Sequence, residues 1–408
     1  MDLHLKKSEL KNESLAILIT GSKSETNRLL LLQALFPELH IENASNSDDS
    51  TVMLKALSSK DAIIDIHHAG TAMRFLTAYF STQKNSVVTL TGSQRMTERP
   101  IAILVNALTA LGAEIDYTNV IGFPPLRITG KTFVNHKVTL QANVSSQYIS
   151  ALLLIAPKLN KGLELTLTGA ITSIPYIKMT LHLLEQIGVK THFENQIIKV
   201  YPHLESIKPQ TIVVESDWSS ASYFYSIVAL SNVGTCISLN SYKKSSLQGD
   251  SVLAELYKNF GVTSKFKDHT LTLTKTTAIE KNTVIDFNLV NAPDIAQTIA
   301  ITALGLGLQC DLSGLHTLKI KETDRLEALK VEIEKVGGKI KVTDSSLHLS
   351  KNEKLRNDIS IATYNDHRMA MAFAPLALKI PLRIEDASVV SKSYPTFWED
   401  LKSIGFSF

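Results

Sequence analysis

The sequence predicts an α/β protein of two domains, built from one helix–strand unit that recurs six times. Length is the first observation behind this prediction, because 408 residues are too many for one ordinary hydrophobic core. The other two observations are repeats. An apolar helix followed by a strand recurs along the whole chain, and an amphipathic helix closed by glycine alternates with it.

The first repeat opens with polar residues and continues as an apolar helix, a turn and a strand. Helices that are apolar on every side are expected to be buried on every side, so each domain should contain three buried helices surrounded by sheets. The six helices are read in "NRLLLLQALF", "AMRFLTAYF", "SQYISALLLIA", "SASYFYSIVAL", "DIAQTIAITALGL" and "HRMAMAFAPLAL".

The second repeat is an amphipathic helix that ends at a glycine and precedes a strand. A glycine after the last turn is the common left-handed cap of a helix C-terminus. The five closing glycines are Gly112, Gly188, Gly261, Gly337 and Gly405, with spacings of 76, 73, 76 and 68 residues.

The six copies divide into three and three, with a boundary near residue 216. We expect residues 20–216 to form the N-terminal domain and residues 217–408 to form the C-terminal domain. The last copy ends at Phe408 without a complete set of strands, so residues 1–19 should return to complete the C-terminal domain. The active site is expected in the cleft between the domains.

Composition excludes several other classes of protein. A net charge of +3, without any Lys/Arg-rich run, gives no footprint for nucleic acid. The longest apolar runs fall short of the roughly 18–20 residues that cross a bilayer, and the first residues lack the apolar stretch of a signal peptide. Cys236 and Cys310 lie in strand-like segments and are predicted to be packed thiols of a cytoplasmic protein.

Cations follow the polar openings of the predicted helices. Small polar residues there, such as Ser24, the Ser145-Ser146 pair and Asp294, are first of all helix caps. Capping does not explain the neighbouring cations, because a cation opposes the positive end of the helix dipole unless an anion lies between them. These cations are Lys23, Arg28, Arg74, Arg95, Arg325, Arg368 and Lys392.

Seven motifs in this order closely resemble the 5-enolpyruvylshikimate-3-phosphate synthase family. They are "GSKSETNR", "AGTAMR", "LTGSQRMTERPI", "SSQYISALLLIAP", "KETDRL", "YNDHRMAMAF" and "SKSYPTFW". The resemblance implies the two-domain enolpyruvyl transferase fold, with three βαβαββ units in each domain. It also implies transfer of the enolpyruvyl group of phosphoenolpyruvate to the 5-hydroxyl of shikimate 3-phosphate by addition and elimination, without metal or organic cofactor.

The resemblance also assigns residues, as expectations. The catalytic residues would be Lys23, Asp294 and Glu322, with Glu322 as proton donor to carbon, Asp294 at the sugar hydroxyls and Lys23 as a second candidate for proton transfer. Phosphoenolpyruvate would be bound by Lys23, Gly70, Arg95, Gln147, Arg325, Arg368 and Lys392. Shikimate 3-phosphate would be bound by Lys23, Ser24, Arg28, Ser145, Ser146, Gln147, Ser173, Tyr176, Asp294, Thr317 and Lys321.

The residues by themselves leave simpler interpretations open. Glu322 could pair with a neighbouring lysine on the surface, Asp294 could only cap a helix, and Arg95 with Arg99 could be a solvated run. The chain also departs from the family pattern, with His68 for asparagine, Phe75 for proline and Thr317 for asparagine.

Two other functions remain as alternatives. One is UDP-N-acetylglucosamine enolpyruvyl transferase, which shares the fold and the donor but usually has a reactive cysteine in the N-terminal domain. No cysteine precedes Cys236 in this sequence. The other is a non-catalytic anion-binding protein on the same scaffold. A monomer without nucleic-acid or membrane partners is expected.

Overall fold

A computed structural model gives the structure of the chain. It describes residues 1–11, 15–142, 145–169, 171, 174–321 and 323–408, with the side chain of Ile320 excepted. Ser173 and Glu322, both predicted site residues, therefore lie outside the described residues.

Helices and strands are interspersed along the whole chain. The helices are α1 Lys23–Leu35, α2 Asp48–Ser58, α3 Gly70–Thr82, α4 Gln94–Thr97, α5 Ala102–Leu111, α6 Ser146–Ile155, α7 Ile174–Gln186, α8 Trp218–Leu230, α9 Leu253–Leu256, α10 Ala296–Leu306, α11 Arg325–Val336, α12 His367–Phe373 and α13 Phe397–Ser403. The strands are β1 Leu3–Leu5, β2 Leu15–Ile17, β3 Leu39–Glu42, β4 Ile63–Asp65, β5 Val87–Thr91, β6 Glu114–Tyr117, β7 Leu126–Thr129, β8 Lys137–Gln141, β9 Leu163–Thr168, β10 Thr191–Glu194, β11 Ile197–Val200, β12 Gln210–Val213, β13 Cys236–Leu239, β14 Val262–Lys267, β15 Thr270–Lys275, β16 Val284–Asn288, β17 Gln309–Ser313, β18 Ile340–Val342, β19 Leu347–Leu349, β20 Ile359–Ile361 and β21 Leu382–Ile384.

The chain divides into two compact units. The continuous unit comprises Ser22–Val214, and the discontinuous unit comprises Met1–Gly21 together with Glu215–Phe408. The N-terminal residues join the discontinuous unit through two strands: β1 pairs antiparallel with β21, and β2 pairs parallel with β13.

In the part of the chain that the structure describes, each unit carries three sheets. Those of the continuous unit have the strand orders β4-β5-β7-β6, β10-β11-β9-β8 and β12-β3. Those of the discontinuous unit have the orders β16-β17-β19-β18, β14-β15-β13-β2 and β1-β21-β20. In the sheet β16-β17-β19-β18, the first two strands are parallel and the other pairings are antiparallel, as a βαβαββ unit requires.

The six apolar helices of the first repeat are α1, α3, α6, α8, α10 and α12, and they form the cores. Every residue of α8 and α12 except Ser219 is buried, and only Gln147 of α6 is more than marginally exposed. Sequence predicted this burial, since these helices carry no continuous polar face. By contrast, α7 and α11 bury one side only.

The five closing glycines are left-handed, with φ between 71° and 120°. This prediction is confirmed. A sixth amphipathic helix, α2, was missed because it ends at Ser59 with φ −71° and has no closing glycine to mark it.

Two expectations about side chains need correction. Asp294 is not a helix cap, because it lies inside the short 3₁₀ turn Pro293–Ile295, whose capping residue is Ala292. Cys310 is buried in β17 as predicted, but Cys236 opens β13 and is exposed. None of the helices in the described residues combines the length and apolarity that a membrane crossing needs.

Candidate active site

The first group of predicted site residues surrounds Arg28 in the continuous unit. Arg28 lies in α1 and its side chain is almost wholly buried. Its Nε donates to Thr180 Oγ1 at 2.8 Å, its Nη1 to the Ser24 carbonyl at 2.6 Å, and its Nη2 to Ser150 Oγ at 2.9 Å. These bonds join α1 to α6 and α7, so the guanidinium lies where three helices meet.

The acceptors of Arg28 within the described residues are hydroxyls and carbonyls. The rings of Phe75 and Tyr176 flank the guanidinium, with centroids 5.5 and 5.9 Å away. Burial lowers the pKa of Arg28 to about 10, although Tyr176 and Glu25 oppose the effect. A buried cation whose hydrogen bonds end on neutral groups keeps its net charge, and an anion is its natural complement.

Lys23 begins α1 and, unlike Arg28, has a carboxylate beside it. Its Nζ lies 3.5 Å from Asp49 at the start of α2, and His68 Nε2 lies 3.8 Å from the same carboxyl group. Asp49 is buried and Lys23 is partly exposed. The sequence pointed to Lys23 and to the unusual His68, but it did not show that both side chains approach one aspartate.

The opening of α3 holds two further arginines against the backbone. Arg74 Nη1 donates to the Gly70 carbonyl at 2.9 Å. A Cβ on Gly70 would lie 2.5 Å from Arg99 Nη1 and 3.0 Å from Arg74 Nη1. Glycine at position 70 therefore makes room for two guanidinium groups at the positive end of a helix.

This geometry favours Arg99 over Arg95 as the arginine of the "QRMTERP" segment. Arg95 is exposed on the short helix α4 and pairs with Glu98 at 3.2 Å. Arg99 is partly buried and reaches Gly70. The family resemblance had assigned Arg95, and the sequence does not show which of two arginines four residues apart faces inward.

The opening of α6 meets that of α3. Ser145 caps α6 by accepting from the Gln147 backbone N–H at 3.3 Å, and Gln147 Nε2 donates to Thr71 Oγ1 at 3.0 Å. Ser146 is buried in the first turn. We call this group of residues at the openings of α1, α3, α6 and α7 the Arg28 cluster. It comprises Lys23, Ser24, Arg28, Gly70, Thr71, Arg74, Arg99, Ser145, Ser146, Gln147, Ser150, Tyr176 and Thr180.

The second group of site residues surrounds Asp294 in the discontinuous unit and is called the Asp294 cluster. Among the described residues, three cations approach this carboxylate: Arg325 Nη1 at 2.8 Å, Lys321 Nζ at 3.3 Å and Arg368 Nη2 at 3.4 Å. Asp294 is partly exposed, whereas Arg325 and Arg368 are buried. The alternative that Asp294 serves only as a cap is therefore excluded.

A second carboxylate holds Arg325 from the other side. Asp366 is fully buried and accepts from Arg325 Nε at 2.6 Å. Its other oxygen accepts from the backbone N–H of Arg368 at 2.9 Å and so caps α12. Asp366 therefore holds the side chain of Arg325 and also caps α12, the helix that carries Arg368.

Sequence reasoning missed Asp250, a third carboxylate in this cluster. It lies in the 3₁₀ turn Gly249–Val252, is buried, and hydrogen bonds to Ser219 Oγ, which also lies 3.2 Å from Arg368 Nη2. Burial would lower the pKa of Arg368, but Asp294 and the other nearby groups raise it well above its usual range. The "QGD" triplet around Asp250 gave no chemical signal, since a single aspartate in a turn is commonplace.

The remaining predicted residues of this unit differ in their surroundings. Lys392 Nζ donates to the Asn365 carbonyl at 2.6 Å, in the turn that precedes α12. Thr317 lies in the 3₁₀ turn His316–Ile320, and its Oγ1 is buried without a hydrogen-bond partner in the described part of the chain. The role of Thr317 in binding shikimate 3-phosphate stays a prediction.

Each cluster gathers cations at helix N-termini, as expected for a protein that binds small anions. A model of the EPSP synthase family, 3-phosphoshikimate 1-carboxyvinyltransferase, matches residues 55–401. The chain belongs to the EPSP synthase family. The predicted family is thereby confirmed, and with it the class of enzyme, an enolpyruvyl transferase of the shikimate pathway.

Relatives named 3-phosphoshikimate 1-carboxyvinyltransferase match nearly end to end. One from Bacteroides fragilis is 46% identical over 396 residues, covering 96% of this chain and 95% of the relative. One from Sulfurovum sp. is 35% identical over 421 residues, covering 95% of each. The solved EPSP synthase of Acinetobacter baumannii shares the fold, with a TM-score of 0.76, 19% identity and coverage of 100% of both chains. The predicted fold class is therefore confirmed.

Proposed function

We propose that this chain transfers the enolpyruvyl group of phosphoenolpyruvate to the 5-hydroxyl of shikimate 3-phosphate and releases phosphate. The observation that carries the proposal is Arg28. In a chain of this family, a buried guanidinium bonded to neutral acceptors is a preformed receptor for a small anion. The Arg28 and Asp294 clusters would act on the same pair of substrates.

Shikimate 3-phosphate would bind mainly to the Arg28 cluster. Its phosphate needs several donors, and α6 offers the Ser145 and Ser146 hydroxyls and backbone N–H groups at the positive end of a buried helix. Tyr176, stacked on Arg28, would cover one face of the ring. Ser24, Gln147 and Lys23 complete the proposed binding set in this unit, and Ser173 joins it through the family resemblance.

Phosphoenolpyruvate carries a carboxylate and a phosphate on three carbons, so it needs cations on several sides. Lys23, Arg325, Arg368 and Lys392 would supply them. We add Arg99 to this set, because it lies beside Gly70 at the opening of α3. Arg guanidinium groups suit both anionic ends because their planar fork can donate two hydrogen bonds to one group.

The Asp294 cluster links anion binding to base strength. Asp294 lies among three cations, which engage its carboxylate oxygens in ion pairs. Bound phosphoenolpyruvate would take hydrogen bonds from Arg368, and bound shikimate 3-phosphate would take them from Lys321. Asp294 would then be less neutralised and better able to receive the proton of the 5-hydroxyl.

The reaction then proceeds in two balanced steps. In the addition step, the 5-oxygen loses its proton and bonds to C2 of phosphoenolpyruvate while C3 gains a proton. In elimination, C3 returns a proton, the C2–phosphate oxygen bond breaks and phosphate leaves. Glu322 is proposed as the acid at C3 from the family resemblance, and Lys23 is the second candidate. Lys23 would also stabilise the leaving phosphate.

The remaining proposals concern cofactors, oligomeric state and cellular location. No metal or organic cofactor enters this chemistry. We propose a monomer acting in the cytoplasm, a reducing compartment with which two unpaired cysteines agree.

A phosphate-release assay with two acceptors tests the function. We expect the purified chain to release phosphate from phosphoenolpyruvate only with shikimate 3-phosphate, and Asp294→Asn to abolish at least about 99% of that release. Release with UDP-N-acetylglucosamine would instead support the cell-wall enzyme. Release with neither acceptor, alongside tight anion binding, would support the non-catalytic alternative.

A further inference from the structure

Asp250 is a buried carboxylate with no role in the reaction described above. Its side chain is 1% exposed, and one of its oxygens, Oδ1, has no hydrogen-bond partner among the described residues. The other oxygen bonds to Ser219 Oγ. Burying a carboxylate costs free energy unless its oxygens are hydrogen-bonded or paired with a cation. The unbonded oxygen of Asp250 therefore calls for a physical explanation.

The hydroxyl of Ser219 has a fixed polarity in this arrangement. Arg368 Nη2, 3.2 Å away, can only donate, so Ser219 must accept from it. The single proton of Ser219 is then directed to Asp250, which accepts when it is ionised. The chain of hydrogen bonds therefore runs in one direction, from the Arg368 guanidinium through Ser219 to the Asp250 carboxylate.

We propose that Asp250 is a positioning residue that, through Ser219, fixes Arg368 for binding phosphoenolpyruvate, and that it releases this hold when it takes up a proton. The inference rests on the proposed function of Arg368. A protonated Asp250 can itself donate to Ser219, so the hydroxyl no longer needs to turn its lone pair toward Arg368.

The charges around Asp250 place this change near neutral pH. The pKa of Asp250 is raised to about 6, because burial, Asp294 and Asp217 raise it more than Arg368 and the Ser219 hydrogen bond lower it. Asp217 caps α8, Asp294 precedes α10 and Arg368 belongs to α12, so each neighbouring helix contributes a charge. As pH falls through about 6, Asp250 becomes neutral and the hold on Arg368 weakens.

Asn at position 250 mimics the protonated carboxyl group, which makes the test specific. KM for phosphoenolpyruvate and kcat are measured for wild type and Asp250→Asn from pH 5.5 to 8. Substrate phosphates also titrate near pH 6, so the readout is the ratio of variant to wild type. We expect KM to rise about 10-fold at pH 7.5, the size of one lost charged hydrogen bond, while kcat changes less. The ratio should fall toward 1 as the pH is lowered to 5.5, because most of the wild-type Asp250 is then protonated.

Ser219 supplies the matched variants. Ser219→Ala should raise KM at pH 7.5 to a similar extent, and Ser219→Thr, which keeps the hydroxyl, should restore it. Adding Ser219→Ala to Asp250→Asn should have little further effect, because both act through one path. If Asp250→Asn does not fold, the Ala and Thr pair at position 219 decides the question through the same pH profile.

Three outcomes would overturn the inference. One is a KM ratio that is constant across pH, because a merely structural role predicts that result. Another is an unchanged KM in Ser219→Ala. The third is absence of wild-type turnover with shikimate 3-phosphate, which would also overturn the proposed function and is thereby distinguished from the first two.

Discussion

The Arg28 cluster and the Asp294 cluster both gather cations at helix N-termini, but they neutralise them differently. Arg28 is bound by hydroxyls and carbonyls, and its charge stays available. Arg325, equally buried, lies between two carboxylates, Asp294 and Asp366. The difference suggests that one group is a ready anion receptor, whereas the other must exchange internal ion pairs for substrate.

A common plan underlies this difference. In each unit, an acidic residue begins the segment that follows the first apolar helix and strand: Asp49 at the start of α2, and Asp250 just before α9. Asp49 lies directly beside Lys23, while Asp250 reaches Arg368 through Ser219. Each unit therefore has a carboxylate after its first apolar helix and strand. In one unit this carboxylate contacts Lys23, and in the other it reaches Arg368 through Ser219.

The largest effect is expected at Lys23. Lys23→Ala should lower kcat by at least about 100-fold, because a cation facing the leaving phosphate stabilises the transition state more than the ground state. Shikimate 3-phosphate should still bind, since Arg28 is unchanged. Steady-state kinetics and calorimetric titration measure the two quantities, with exposed Lys55→Ala as the control. Near-normal turnover would remove Lys23 from the reaction.

Arg28→Lys tests whether the Arg28 cluster is the preformed receptor. Lysine keeps the charge but loses the planar fork that reaches Thr180, Ser150 and the Ser24 carbonyl. The Kd of shikimate 3-phosphate should rise about 10- to 100-fold in the absence of phosphoenolpyruvate. Circular dichroism checks that the variant is folded. An unchanged Kd in a folded variant would mean that the receptor lies elsewhere.

The smallest effect compares two arginines in one segment. Arg99→Lys should raise KM for phosphoenolpyruvate about 10-fold, because a bidentate donor beside Gly70 is lost. Arg95→Lys, on the exposed helix α4, should change KM by less than about 2-fold, as surface ion pairs contribute little. The opposite ranking would restore Arg95 to the site and place Arg99 among the structural residues.

The sequence alone was sufficient for the repeated architecture. Apolar helices with no polar face must be buried, and a glycine after the last turn marks a left-handed cap, so the pattern of residues carried the fold directly. The sequence did not predict α2 because this helix has neither signal. Only four of its 11 side chains are buried, and its C-terminal capping residue is a serine instead of a glycine. The seven motifs were sufficient for the family because their order over the chain is specific.

By itself, the sequence determined the repeated architecture, the residue types at each helix opening and the family to which they belong. What only the tertiary structure decided was which groups share a partner. Lys23 and His68 meet at Asp49, Arg99 rather than Arg95 reaches Gly70, and Asp250 reaches Arg368 through Ser219. These contacts join positions up to about 150 residues apart, and no local pattern records them, because the distance between two side chains in space is set by the packing of whole helices.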